Sequence, residues 1–114
     1  MRILVCGSRY FYDWRLLEKT LDEIEGVNVV IHGGAAGADS LADQWARYRF
    51  NTIEEYTADW EKYGKAAGPT RNRQMLKEGK PDLVIAFLAK DSRGTKDMIN
   101  VATEAGVPVK VVEI

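Results

Sequence analysis

Five short runs of apolar, largely β-branched residues recur along the chain, at positions 3–6, 27–31, 52–56, 83–88 and 107–112. Each is strand-sized, and most carry no polar alternation, which marks strands covered on both faces. The segments between them have a different period. Trp14, Leu17, Leu21 and Ile24 fall on one helical face, with Asp13 placed to cap the helix and Gly26 to stop it. Ala38, Leu41, Ala42, Trp45, Ala46 and Arg49 form a second such face, and Met98, Val101, Ala102 and Ala105 another, stopped by Gly106. A helix is also expected from about Thr70 to Lys77, ending near Gly79. Only residues 57–69 break the pattern; they contain Trp60, Tyr63, Gly64 and Gly68 and read as a long loop. Strands alternating with helices predict a parallel, doubly wound sheet of five strands with helices on both faces. In such a fold the strand C-termini gather at one edge, and ligands bind there.

At 114 residues the chain has the size of one domain spanning positions 1–114. It is long enough to bury a core without disulfides or a structural metal. An apolar fraction of 46% with 29% charged residues is that of an ordinary globular protein. The formal net charge of −1 argues against a broad nucleic-acid footprint, although a local positive pocket remains open. Cys6 is the single cysteine. No intramolecular disulfide can form, and Cys6 ends an apolar run, so a packing role is expected rather than a nucleophilic one. No stretch reaches the ~20 apolar residues of a membrane span, and the N-terminal run is too short for a signal peptide, so a cytoplasmic protein without membrane partners is expected.

Four segments are expected to converge on the ligand edge. The first is Gly7, Ser8 and Arg9, after the first strand. The second is the turn of His32, Gly33, Gly34, Ala35, Ala36, Gly37, Ala38 and Asp39, which feeds a helix. Glycines let a ligand approach the backbone, and the unpaired N–H groups of a helix start attract anions. The third is Gly68-Pro69-Thr70-Arg71-Asn72-Arg73, which opens the third helix, and the fourth is Ser92-Arg93-Gly94-Thr95, which opens the fourth. Arg9, Arg71 and Arg73 can each present a guanidinium fork to a phosphate. Asn72 can bond a base, a ribose or a neighbouring turn. Thr95 can hold a ligand or simply cap its helix. The motifs of the common nucleotide folds are absent. The glycine turn lacks the Gly-Lys-Ser/Thr ending of a P-loop, and the first strand is not followed by G-x-G-x-x-G.

Asp39 can accept hydrogen bonds from ribose hydroxyls or from N–H groups of its own loop. His32, the only histidine, is expected to be structural rather than a general base. No His, Cys, Asp or Glu cluster has the linear spacing of a metal site, so no metal is expected. Trp60 and Tyr63 lie in the long loop, where an aromatic can stack on a base or fill a subunit contact.

Taken together, Gly7-Ser8-Arg9, the turn from His32 to Asp39, the stretch Ala66-Ala67-Gly68-Pro69-Thr70-Arg71-Asn72-Arg73-Gln74-Met75, and Gly94-Thr95 with Met98 resemble the YspA, cpYpsA-related branch of the SLOG superfamily. That superfamily joins the DNA-uptake protein DprA and the cytokinin-activating LOG phosphoribohydrolases. The resemblance covers essentially the whole chain. It implies a Rossmann-like, three-layer α/β/α domain whose pocket lies at the glycine turn and the Gly94–Thr95 turn. It further implies nucleotides or nucleotide-derived signals as ligands, a homodimer or higher homo-oligomer, and occurrence in phages and conflict-related gene neighbourhoods. The chain departs from its relatives at two positions. Ala36 stands where many members have arginine, and Met98 stands where the phosphoribohydrolases carry a glutamate that serves in cleaving the glycosidic bond. Methionine cannot act as acid or base. Arg71, Asp97 and Asp39 are the candidate polar groups that remain for any catalysis.

Three functions follow. The first is binding of a nucleotide-derived phosphorylated molecule, as a sensor, carrier or sponge, with no cofactor required. The second is an N-glycosidase or phosphoribohydrolase acting on nucleoside monophosphates or NAD-like compounds, its carboxylate coming from Asp39, Asp97 or a partner subunit. The third is DprA-type binding of single-stranded nucleic acid through Arg47, Arg49, Arg71 and Arg73, which the net charge disfavours.

Overall fold

A computed structural model describes all residues from Met1 to Ile114. Five parallel strands, β1 (Arg2–Gly7), β2 (Val29–His32), β3 (Thr52–Glu55), β4 (Leu83–Leu88) and β5 (Val109–Glu113), form one sheet in the order β3-β2-β1-β4-β5. β1 is central, pairing with β2 on one side and β4 on the other. Chain order reverses between β1 and β4, which makes their C-terminal ends the switch point of the sheet.

Side chains alternate across β1, and the two faces bury different helices. Ile3 and Val5 point to a core built with α1 (Trp14–Asp22) and α2 (Ala38–Tyr48). Leu4 and Cys6 point the other way, onto α4 (Ala67–Gly79) and α5 (Arg93–Glu104) through Met75, Met98 and Ala102. The result is the expected three-layer α/β/α domain. α1 begins where the sequence places it, with the Asp13 carboxylate accepting the Leu16 N–H at 3.1 Å. Trp45 ties α2 to α1 by donating its indole N–H to Asp22 at 2.9 Å.

The segment after β1 is held to β4. The Ser8 N–H donates to the Phe87 carbonyl at 3.1 Å, and the Phe11 ring stacks on Phe87 with centroids 4.7 Å apart. Burying an aromatic of this size stabilises by about 2–3 kcal/mol, and the stacked pair adds about 1 kcal/mol. Residues 8–10 are thereby fixed at the switch point.

The long loop expected over residues 57–69 is mostly helical. Asp59 caps a one-turn helix, α3 (Trp60–Tyr63), by accepting the Lys62 N–H at 3.0 Å. A 3-10 turn, Gly64–Ala66, leads directly into α4. α4 therefore starts three residues before the expected Thr70, because Pro69 lies in its first turn, where a backbone N–H has no helical partner to lose. α5 likewise begins at Arg93, with Ser92 at the cap position, so Thr95 sits inside the first turn and is not the cap. No helix is long and apolar enough to cross a membrane.

Candidate functional site

A cavity of about 620 Å³ opens at the switch point. One wall is the segment after β1, including Ser8, Arg9 and Tyr10; the facing wall runs from Ala89 to Thr95, after β4. Cys6, Asp39 and Met75 line its depth, with Ala35, Arg71 and Asn72 beside them. The volume falls within the range of small-molecule sites. Four cationic side chains (Arg9, Arg71, Lys90 and Arg93) face it, against the carboxylates of Asp39 and Asp91.

The glycine turn is tied up within itself. The Gly33 and Ala35 N–H groups donate to one oxygen of Asp39, Oδ2, at 3.1 and 3.2 Å. The Gly34 N–H donates to His32 Nδ1 at 3.0 Å. The Ala38 N–H donates to the Ser8 carbonyl at 3.1 Å. Gly37, at φ 76°, makes that last contact possible, because a Cβ there would overlap the Ser8 carbonyl and the Arg9 backbone. The turn expected to cradle an anion thus already holds one, the carboxylate of Asp39. Burial pushes the Asp39 carboxyl above its usual value, while the two loop N–H groups and the Arg71 guanidinium oppose that rise.

His32 is buried with both ring nitrogens engaged, and its hydrogen bonds fix its tautomer. Nδ1 accepts from Gly34, so the ring proton sits on Nε2, which donates to Asp43 Oδ2 at 2.7 Å. Burial works against the charge on Asp43, but bonds from Arg47 and His32 outweigh it and hold that carboxyl below its usual value. Asp43 and Glu55, with His32, place three ligand-type atoms within 4.8 Å of one another, a grouping that no linear spacing reveals. In this hydrogen-bonding arrangement the protonated Nε2 offers no lone pair to an ion.

The head of α5 is built differently. Its first turn carries no acidic residue, and no side chain caps it. Ser92 Oγ instead accepts the Ala89 N–H at 3.2 Å. The Gly94 and Thr95 N–H groups have no protein acceptor, and both residues line the cavity together with Lys90, Asp91 and Arg93. Unpaired N–H groups at a helix start favour an anion.

Arg71 and Asn72 brace the two heads. Arg71 donates Nη1 to the Gly33 carbonyl at 2.8 Å and Nε to Asn72 at 3.3 Å. Asn72 spends both amide hydrogens on α5, one on the Gly94 carbonyl at 3.2 Å and one on Asp97 at 3.0 Å. Of the three roles open to Asn72 in the sequence, bonding to a neighbouring turn is the one the structure displays. Asp97 faces this brace and Arg73, not the cavity. Met98, on the inner face of α5, is fully buried. Cys6 touches the cavity, but burial pushes its thiol far up, which keeps it protonated and a poor nucleophile. Trp60 is exposed, its ring edge over Gly68, and does not line the cavity. Arg73 is also outside it. Arg47 and Arg49 belong to the end of α2, on the sheet face opposite α4, and engage Asp43 and Asp22; they form no single patch with Arg71 and Arg73.

Known proteins share this architecture. The model of the YspA, cpYpsA-related SLOG family matches residues 1–63. The gene 61 protein of Mycobacterium phage D29 is 42% identical over 117 residues, covering 95% of this chain and 93% of that protein. The X-ray structure of DNA processing protein A (DprA) from Streptococcus pneumoniae superposes with a TM-score of 0.78 at 21% identity. That match covers 96% of this chain and 49% of the DprA chain, so the present protein corresponds to about half of DprA, and at this identity the likeness is one of fold. The family model covers more than half of the chain: the chain belongs to the YspA, cpYpsA-related SLOG family.

Proposed function

We propose that the protein binds a nucleotide or nucleotide-derived phosphorylated molecule in the switch-point cavity, with the phosphate seated at the head of α5. Family membership supports a nucleotide-related ligand-binding role in general. The observation that carries the finer reading is the pair of unpaired N–H groups of Gly94 and Thr95, residues that line the cavity together with Lys90, Asp91 and Arg93. An anion there gains hydrogen bonds, the helix dipole and two cations at once.

Binding is favoured over hydrolysis by the state of the carboxylates. Met98 replaces the glutamate of the phosphoribohydrolases and packs into the core. Asp97 is engaged by Asn72 and Arg73, and Asp39 has one oxygen held by its own loop. The carboxylates left on the cavity are Asp39, through its second oxygen, and Asp91, next in sequence to the cation Lys90.

The test is to incubate the purified protein with a panel of nucleoside phosphates, NAD, ADP-ribose and cyclic nucleotides, and to analyse retained and released species by mass spectrometry. Recovery of an intact phosphorylated ligand, lost in an Arg93→Glu variant, is the expected result. Release of a free base with a sugar phosphate would replace binding by glycosidase chemistry. Retention of nothing by the wild-type protein would remove the cavity from consideration.

A further inference from the structure

The anion site at α5 leaves a second polar group of the cavity without a task. Asp39 is only 6% exposed, and its two oxygens have different fates. Oδ2 accepts both the Gly33 and the Ala35 N–H. Oδ1 has no hydrogen-bond partner in the protein. Because no side-chain oxygen is both fully buried and unpaired, Oδ1 keeps accessible surface, and the cavity lined by Asp39 is where that surface opens.

The orientation of this carboxylate is set from behind. Two N–H groups hold Oδ2, His32 pins the intervening Gly34, and the close approach at Gly37 seats the start of α2 against Ser8. Rotation of the carboxylate would break both loop bonds. Oδ1 is therefore a fixed acceptor with no donor of its own. A phosphate cannot approach it, because two anions would meet at low dielectric. The two poles of the cavity thus demand different parts of one ligand: an anion at α5 and a neutral hydrogen-bond donor at Asp39.

We infer that Asp39 is a specificity-determining residue that accepts a hydroxyl hydrogen of the ligand's sugar and selects ribose-bearing ligands over those whose sugar hydroxyls are missing. The inference rests on the proposed reading of the cavity as a nucleotide site. In a phosphorylated nucleoside the sugar is the donor-rich part common to every base. An O–H bond to a carboxylate is charge-assisted and short. A ligand that covers Oδ1 without supplying that donor strips away its water and leaves the oxygen unpaired, which lowers affinity by roughly tenfold to a hundredfold.

Calorimetric titration of the wild-type protein with the four ribonucleoside 5′-monophosphates, their 2′,3′-dideoxy counterparts and inorganic phosphate tests this. The expected result is a ribose preference of at least about tenfold, with inorganic phosphate binding weakly. Asp39→Asn keeps an oxygen on the two loop N–H groups and turns an NH₂ donor to the cavity. This variant should erase or invert the preference while leaving inorganic phosphate binding intact. Equal affinity for ribose and dideoxyribose forms in the wild-type protein would overturn the inference, as would an unchanged preference in Asp39→Asn. Binding of inorganic phosphate with no ribonucleotide bound would overturn the Asp39 inference and spare the α5 anion site. Failure of phosphate and nucleotides alike would overturn both.

Discussion

The heads of α2 and α5 stand on opposite sides of the switch point and both reach the same cavity. α2 brings its own anion: the Asp39 carboxylate sits in its first turn and gathers the N–H groups of the glycine turn. α5 brings none, and its Gly94 and Thr95 N–H groups stay open. A glycine-rich turn before a helix is thus no guarantee of a phosphate cradle. What decides is whether the first turn carries its own carboxylate. The α2 head is a rigid, self-satisfied acceptor, and the α5 head is an unsatisfied donor.

The largest expected effect comes from breaking the rigid side. Gly37→Ala forces a Cβ into the Ser8 and Arg9 backbone at φ 76°. Strain and overlap together should cost about 3 kcal/mol of folding stability, read as a lower denaturation midpoint. Gly106→Ala is the control, since its φ of 77° is similar but its Cβ meets nothing. That variant should lose only about 1 kcal/mol, for the backbone conformation alone. Equal losses at the two sites would mean that the packing of the β1 turn against α2 contributes nothing.

The open side should respond in binding rather than in stability. Lys90→Ala combined with Arg93→Ala removes two cations beside the free N–H groups, from side chains outside the core. Phosphate-bearing ligands should bind about tenfold more weakly, with the melting temperature of the free protein little changed. An unaltered affinity measured by calorimetry would move the anion away from α5.

The uneven legibility of the two heads has a physical cause. Hydrophobic period alone separates strands from helices, so residues such as Val84, Ile85 and Leu17, Leu21 reveal the layers without any knowledge of contacts. The cap at Asp13 is equally local, because donor and acceptor lie three residues apart. The partners that define the site are remote: Arg71 reaches Gly33 across 38 positions, and Asn72 reaches Asp97 across 25. His32 finds Asp43 only because β2 ends beside the helix that follows it. The one-turn helix at Trp60 was hidden for another reason: four residues carry no readable period. Asp39 was visible as a residue with two possible acceptor roles, and only the fold shows that its loop claims one oxygen and leaves the other.

Acidity should act on the α2 head alone. Burial raises the Asp39 carboxyl above its usual value, so the folded protein takes up this proton at a higher pH than the unfolded chain does. For the free protein, lowering the pH through that raised value removes a buried charge and favours the fold. For a ligand that donates a hydroxyl to Oδ1, the same protonation removes the acceptor, so affinity falls as pH falls. Cys6, His32 and Arg71 are the titratable or charged groups within its field. ADP-ribose, whose pyrophosphate keeps its charge, should bind severalfold more weakly once the pH has been lowered through that raised value than above it. In Asp39→Asn the affinity should be flat over that range. A wild-type profile as flat as the variant's would show that Asp39 does not meet the ligand.

The smallest effect on stability would be the sharpest statement about the comparison, because it makes one head like the other. Ser92 occupies the cap position of α5 without capping it, its hydroxyl turned to the Ala89 N–H. Ser92→Asp would place a carboxylate where α2 already has one. Asp is among the better N-cap residues, and a negative charge at the helix start is favourable, so the free protein should gain about 0.5 kcal/mol. The same carboxylate would claim the Gly94 and Thr95 N–H groups and repel an incoming phosphate. Stability and phosphate affinity should therefore move in opposite directions in this one variant, the first by denaturation and the second by calorimetry. If both rose together, the N–H groups at α5 would not be the phosphate seat. If both stayed fixed, the added carboxylate would have turned to solvent, and Ser92→Asn, a neutral cap of the same length, would then separate capping from charge.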